Sequence, residues 1–195
     1  MGNVESTGSL YKPIQQLTEK LIINMNTDFP QEVLARFKRF DAHLPSSEDP
    51  TLIVLKGHLL AEEILENLIR AKCKYPEALD RVEIGFFLKV KLAHALIGNA
   101  HENGLILPES VWEMLGALNS LRNELAHSLE PKKLEAKIQK FLSCAPTPYK
   151  INTSKEDTNT ALYTAIVGTL SYLACFETIA LTGEIPPRLP EKSAR

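Results

Sequence analysis

Apolar residues recur at spacings of three and four along nearly the whole chain, and no useful stretch alternates with a period of two. A chain patterned this way buries stripes of helix and has no sheet face to bury, so it predicts an all-α fold, a bundle of about six or seven helices. Proline sets the punctuation. The first pattern covers Leu10 to Met25, with Ile14, Leu17, Leu21 and Ile22 on one stripe. A second opens at Pro30, passes through Val33, Leu34 and Phe37, and ends by Pro45. The loop Pro45 to Pro50 precedes a long helix, from Pro50 or Thr51 to about Cys73. Beyond Pro76 the expected helices run from Arg81 to Ala100, Pro108 to Leu129, Lys132 to Cys144 and Asp157 to Leu181, with an Asn-Gly turn at Asn103-Gly104.

Two details within the pattern carry physical weight. Gly57 sits inside the long helix, where glycine costs roughly 1 kcal/mol relative to alanine, so close approach of a neighbouring helix is the expected compensation. The last helix is the one membrane candidate, but its uncharged stretch between Asp157 and Glu177 falls short of the roughly 20 apolar residues that a span needs and includes several threonines. A core or subunit-interface helix is the expectation there, with no membrane partner.

Charge and cysteine bound the function classes. With 22 basic against 24 acidic side chains, the chain predicts no broad polyanion-binding surface, and any nucleic-acid contact has to be a local patch. Cys73, Cys144 and Cys175 are far apart and form no CxxC pair, which argues against a disulfide framework or structural zinc and fits a reducing cytoplasm. The N-terminus has no positive region followed by an apolar stretch. Gly2 followed by Ser6 matches the loose myristoylation pattern, without a polybasic second signal. Phosphate-loop, dinucleotide, zincin and nucleophile-elbow motifs have no match, and no cofactor is expected. His58 and Glu62 stand one helical turn apart, as two metal ligands would, but no third ligand accompanies them. A flank histidine touching a helix neighbour is the expected reading, with no metal site.

The informative stretch is Leu118-Asn-Ser-Leu-Arg-Asn-Glu-Leu-Ala-His127. Leu118, Leu121 and Leu125 face the core, which leaves Arg122, Asn123 and His127 on adjoining faces. Together they offer a permanently charged phosphate ligand, an amide and a titratable imidazole. Metal-free RNA cleavage needs such groups: imidazole to deprotonate or orient a 2′-hydroxyl, and arginine to stabilise charge on the phosphorane oxygens. Arg36 to His43 matches the same loose spacing, but Arg36 is followed by apolar Phe37 and lies before a proline-rich loop. Alternatively, Arg122 pairs with Glu62, Glu63 or Glu124, and His127 simply favours the negative end of the helix dipole.

Arg122-Asn123-Glu-Leu-Ala-His127, with the acidic helix around Gly57-His-Leu-Leu-Ala-Glu62-Glu63 upstream, resembles the HEPN superfamily, whose ribonuclease members carry Arg, a polar residue and then His. The resemblance covers roughly residues 50–145. It implies a metal-independent endoribonuclease, completed by homodimerisation, and a toxin or phage-defence role with an antitoxin or defence-system partner protein. Arg122, Asn123 and His127 would then be catalytic, and Glu62 or Glu63 would orient them. Lys132, Lys133 and Lys137, followed by Lys140 and opposed by Glu135 alone, form a basic stretch suited to positioning RNA phosphates. The implied organisation is an N-terminal helical extension (1–48), a HEPN-like core (49–145), a C-terminal packing helix (146–185) and a flexible tail (186–195). The rival reading is a catalytically silent helical regulator or protein–protein assembly module, as in mannitol-repressor-like relatives.

Overall fold

A computed structural model describes residues 31–44, 49–98, 101–102, 105–127, 133–145 and 158–183. The helix expected over Leu10 to Met25, the myristoylation pattern, Lys132, the loop following Ala145 and the tail from 186 lie outside the described residues. The chain is all-α. Its described helices are α1 (Gln31–His43), α2 (Pro50–Lys72), α3 (Phe86–Ile97), α4 (Glu109–His127), α5 (Leu134–Ser143) and α6 (Thr158–Thr182). Between α3 and α4 two short strands pair antiparallel, His101 opposite Ile106 and Glu102 opposite Leu105, and the expected turn at Asn103-Gly104 lies outside the described residues.

Local chemistry explains most helix ends. The Asp49 side chain caps α2 by accepting from the Thr51 amide over 2.8 Å, and Pro50 fills a first-turn position where its missing N–H costs nothing. Arg70 and Lys72 end the same helix, where positive charge suits the exposed carbonyls. One expectation needs correcting. The helix anticipated from Arg81 begins at Phe86, because Pro76–Leu79 forms a 3-10 turn, Arg81 adopts a left-handed φ of 65°, and Gly85 is extended at the cap. It also stops at Ile97, short of Ala100. Gly98, at a φ of 62°, donates its amide to the His94 carbonyl over 2.7 Å, a conformation that glycine adopts without strain.

The α2 and α6 helices form the centre of the bundle. A Cβ placed on Gly57 would lie 2.6 Å from Ile166 Cγ2, so the glycine is what lets the two helices come this close. Residues of α6 are buried all around its circumference, from Ala161 to Ile179, as a core helix requires. By length and composition α6 is also apolar enough to cross a membrane, and most of that stretch is packed inside the bundle. Its buried threonines satisfy themselves: Thr169 donates to the Ala165 carbonyl over 2.8 Å and Thr178 to the Ala174 carbonyl over 2.9 Å. The same hydrophobic core takes in Phe40 from α1, Leu65 from α2, Val90 from α3, Leu118 from α4 and Phe141 from α5.

A buried charge ties three helices together. Glu177 on α6 is fully buried, accepts from Asn67 Nδ2 of α2 over 2.7 Å, and forms an ion pair with Arg36 of α1. A buried carboxylate is tolerable only when paired and hydrogen-bonded in this way.

Candidate functional site

Leu118 and Leu121 are buried in the core, which turns the polar side of α4 towards α2 and outward. Arg122 is half-buried there, and its Nη1 donates to Asn123 Oδ1 over 3.2 Å. Among the described residues Arg122 forms no ion pair. His127 is exposed and is the last residue of α4, a position where a basic group also suits the helix dipole. On an ideal helix a separation of five residues turns the side chains about 140° apart, so Arg122 and His127 of one chain lie on different faces. Asn119, one turn earlier, shares the face of Asn123 instead.

The residue that faces this patch from α2 is His58. The residue is 5% exposed, its ring stacks on Phe86 with centroids 3.8 Å apart, and its Nε2 lies 3.4 Å from Asn119 Oδ1. The expected approach to a helix neighbour is present, with Glu62 Oε2 4.0 Å from Nδ1, but His58 is no flank residue: it is a core group in contact with α3 and α4. Burial pushes its pKa down from the usual imidazole value. Asn119 and Glu62 oppose the fall, while the positive charges of Arg122 and Lys89 add to it. No group of three or more metal-ligating side chains occurs among the described residues.

The carboxylates of α2 are already committed. Glu62 and Glu66 share the ammonium of Lys89 on α3, at 3.1 and 3.0 Å. Burial alone would lower the Lys89 pKa, but the hydrogen bonds to Glu66 and Glu62 outweigh it and the net shift is upward. The same contact with Lys89 is the main reason the Glu66 pKa falls. Glu63 is held by the two guanidinium nitrogens of Arg39, one of them at 2.7 Å. Neither Glu62 nor Glu63 pairs with Arg122 or His127. Beside this network an open groove of about 520 Å³ lies between α2 and the segment leading into α3, bounded by Glu62, Glu66, Lys89, Leu79 and Ile84.

The expected basic stretch divides on inspection. Lys133 and Lys140 are exposed, but Lys137 is bound to Glu124 at 2.9 Å and donates to the Ser120 carbonyl at 3.1 Å, fastening α5 to α4. The Lys137 contact with Glu124 holds that carboxyl below its ordinary pKa. The second Arg-to-His spacing resolves differently: Arg36 is consumed by buried Glu177, and His43 is exposed at the far end of α1.

Lys89 and His58 are the members of this cluster that sequence patterning did not single out for the site. Lys89 meets Glu62, and His58 meets Asn119, across helices distant in sequence, so spacing along one helix gives no signal of these contacts. Comparison with protein-family models, curated proteins and solved structures returns no match to this chain.

Proposed function

We propose that the chain is a metal-independent endoribonuclease of the HEPN type, working as a cytoplasmic homodimer on RNA. The observation that carries this reading is Arg122: a half-buried arginine with a neutral amide partner and, among the described residues, no carboxylate, on an uninterrupted helix packed against α2. A guanidinium in that state keeps donors for a phosphate, and no acid among the described residues cancels its charge. Arg122 would stabilise the pentacoordinate phosphate, and Asn123 would fix the guanidinium through the observed hydrogen bond. His127 would deprotonate or orient the 2′-hydroxyl, whose oxygen attacks phosphorus and expels the 5′-oxygen to leave a cyclic phosphate. Because Arg122 and His127 of one chain point to different faces, a site using both suits two copies with their α4 helices apposed. Lys133 would position neighbouring phosphates, and a toxin or phage-defence role, with a partner that restrains it, belongs to the same proposal.

The test is incubation of the purified protein with total RNA, with and without EDTA, followed by end-group analysis. Cyclic-phosphate ends, insensitivity to EDTA and loss of cleavage in both Arg122→Ala and His127→Ala are the expected results. Undiminished cleavage by the His127→Ala protein overturns the mechanism. A second reading, a silent assembly module, draws on the paired state of Glu62 and Glu63 and on the exposed leucines Leu59, Leu88 and Leu96. It expects a stable dimer or partner complex and no RNA turnover.

A further inference from the structure

We propose that the outer face of α3 is a docking surface for a helix of a partner protein, one whose apolar stripe is flanked by carboxylates. The proposal stands apart from the reading of Arg122: it gives a binding role to a helix that the ribonuclease chemistry does not use.

The face is recognised by what a surface helix should not carry. Every residue of α3 except Lys89, Lys91 and His94 is apolar, a composition that belongs to a helix enclosed on all sides. Yet α3 is covered on one side. Phe86, Val90, Ala93 and Ile97 are buried, and at about 100° per residue they fall within about 60° of one another on the helix. Away from them Leu88, Leu92 and Leu96 follow at intervals of four and form a ridge, with exposed Ala95 beside it. Leu88 is 51% exposed and Leu96 44%, while Leu92 between them is half-buried. Phe87, at the rim, is 61% exposed. Ridges of this spacing pack into the grooves of a second helix, and burying the leucines there removes apolar surface from water.

Charge selects the occupant. α3 contains no acid. Lys89 is bound by Glu62 and Glu66, and His94 lies 3.5 Å from Glu109, so both have a carboxylate within the fold. Lys91 has none among the described residues. It is exposed beside the leucine ridge, with its ammonium 5.5 Å from the centre of the Phe87 ring. The uncompensated charge on the flank of the ridge is therefore positive, and its complement is a carboxylate on the flank of the incoming helix. A second copy laid on the same face about a two-fold axis at Leu92 would instead bring the two Lys91 ammoniums together.

Two synthetic helical peptides serve as probes. They share one leucine stripe, flanked by glutamates in the first and by lysines in the second. Titration of the full chain, read by fluorescence anisotropy of labelled peptide, should show the acidic peptide bound about tenfold more tightly than the basic one. Lys91→Glu should reverse that preference. Leu88→Ser combined with Leu96→Ser should abolish binding of either peptide while circular dichroism stays as in the unmodified chain, since both side chains project from the core. No binding of the acidic peptide by the unmodified chain overturns the proposal, as does equal affinity for the two peptides or undiminished binding by the Leu88→Ser, Leu96→Ser protein. Should that protein fail to fold, Lys91→Glu decides alone, and an unchanged preference overturns the proposal. Sedimentation of the unmodified chain tests the rival occupant: self-association that disappears in the Leu88→Ser, Leu96→Ser protein gives the face to a second copy. Binding to phosphatidylserine-containing vesicles that is lost in the same variant gives it to a membrane, and either result overturns the partner helix. No readout involves RNA or Arg122, so this proposal and the ribonuclease reading fail separately.

Discussion

Arg36 and Arg122 are each followed by a histidine at similar spacing, and the two places could hardly differ more in what the arginine does. Arg36 spends its charge on a carboxylate that is fully buried, in a junction of α1, α2 and α6. Arg122 has an amide for company and retains its charge. Spacing reports only that two side chains are near one another along a helix. What separates a structural arginine from a candidate binding arginine is the acid that faces it, and here that acid is 141 residues away in the first case and missing among the described residues in the second.

The contrast can be broken most forcefully at Arg36. Arg36→Ala leaves Glu177 buried with only Asn67 to satisfy it, and a loss of about 3 kcal/mol is expected in chemical denaturation, the lower end for an orphaned buried charge because Arg36 itself is 25% exposed. Joint replacement, Arg36→Met with Glu177→Leu, should recover most of the loss. Next in size is Gly57→Ala, which drives α2 away from the helix bearing Glu177. The 2.6 Å approach to Ile166 is expected to cost about 1–2 kcal/mol after the gain in helix propensity, and combination with Ile166→Ala should cost less than the sum of the two.

Effects at the Arg122 patch should be smaller in stability and larger in binding. His58 has a folded-state pKa below its unfolded one, so the stability its neutral ring contributes is fully present above about pH 6.5 and is lost as pH falls through the folded-state value. Denaturation profiles of His58→Gln should be flatter than wild type over that acid window. Arg122→Ala is expected to change stability by no more than about 0.5 kcal/mol while removing anion binding, the reverse of Arg36→Ala. Smallest of all is the difference between two lysines: charge reversal at exposed Lys133 should weaken RNA affinity more than Lys137→Ala, because Lys137 already answers to Glu124.

Helix positions were legible wherever proline or glycine marks an end, as at Pro50, Pro108 and Gly183, because these residues act through their own backbone. The start of α3 was not, since Arg81 in a left-handed conformation leaves no mark in composition; Gly85 and Gly98 were the available signals for its two ends. Close packing at Gly57 was legible because an interior glycine needs a reason. The candidate site was legible along α4 alone. Lys89 and Glu177 owe their roles to partners on other helices, and each reads in sequence as an ordinary polar residue in a helix; His58 is marked in sequence by its spacing to Glu62, but its contacts with Asn119 and Phe86 are not. Pairing also reassigns Glu62 and Glu63: what reads as an acidic face opposite Arg122 is, in three dimensions, neutralised by Lys89 and Arg39.

The placement of α6 has a consequence for synthesis. The helix that closes the core is the last of the described elements to leave the ribosome, so until Glu177 emerges Arg36 lacks its counter-ion, and Gly57 faces no Ile166. A nascent chain that has completed α1 to α5 therefore still lacks the helix that covers the apolar face of α2. Premature termination anywhere before α6 should yield an insoluble product rather than a shortened domain. Whatever the protein does at Arg122, it can do only after the whole described chain has been made.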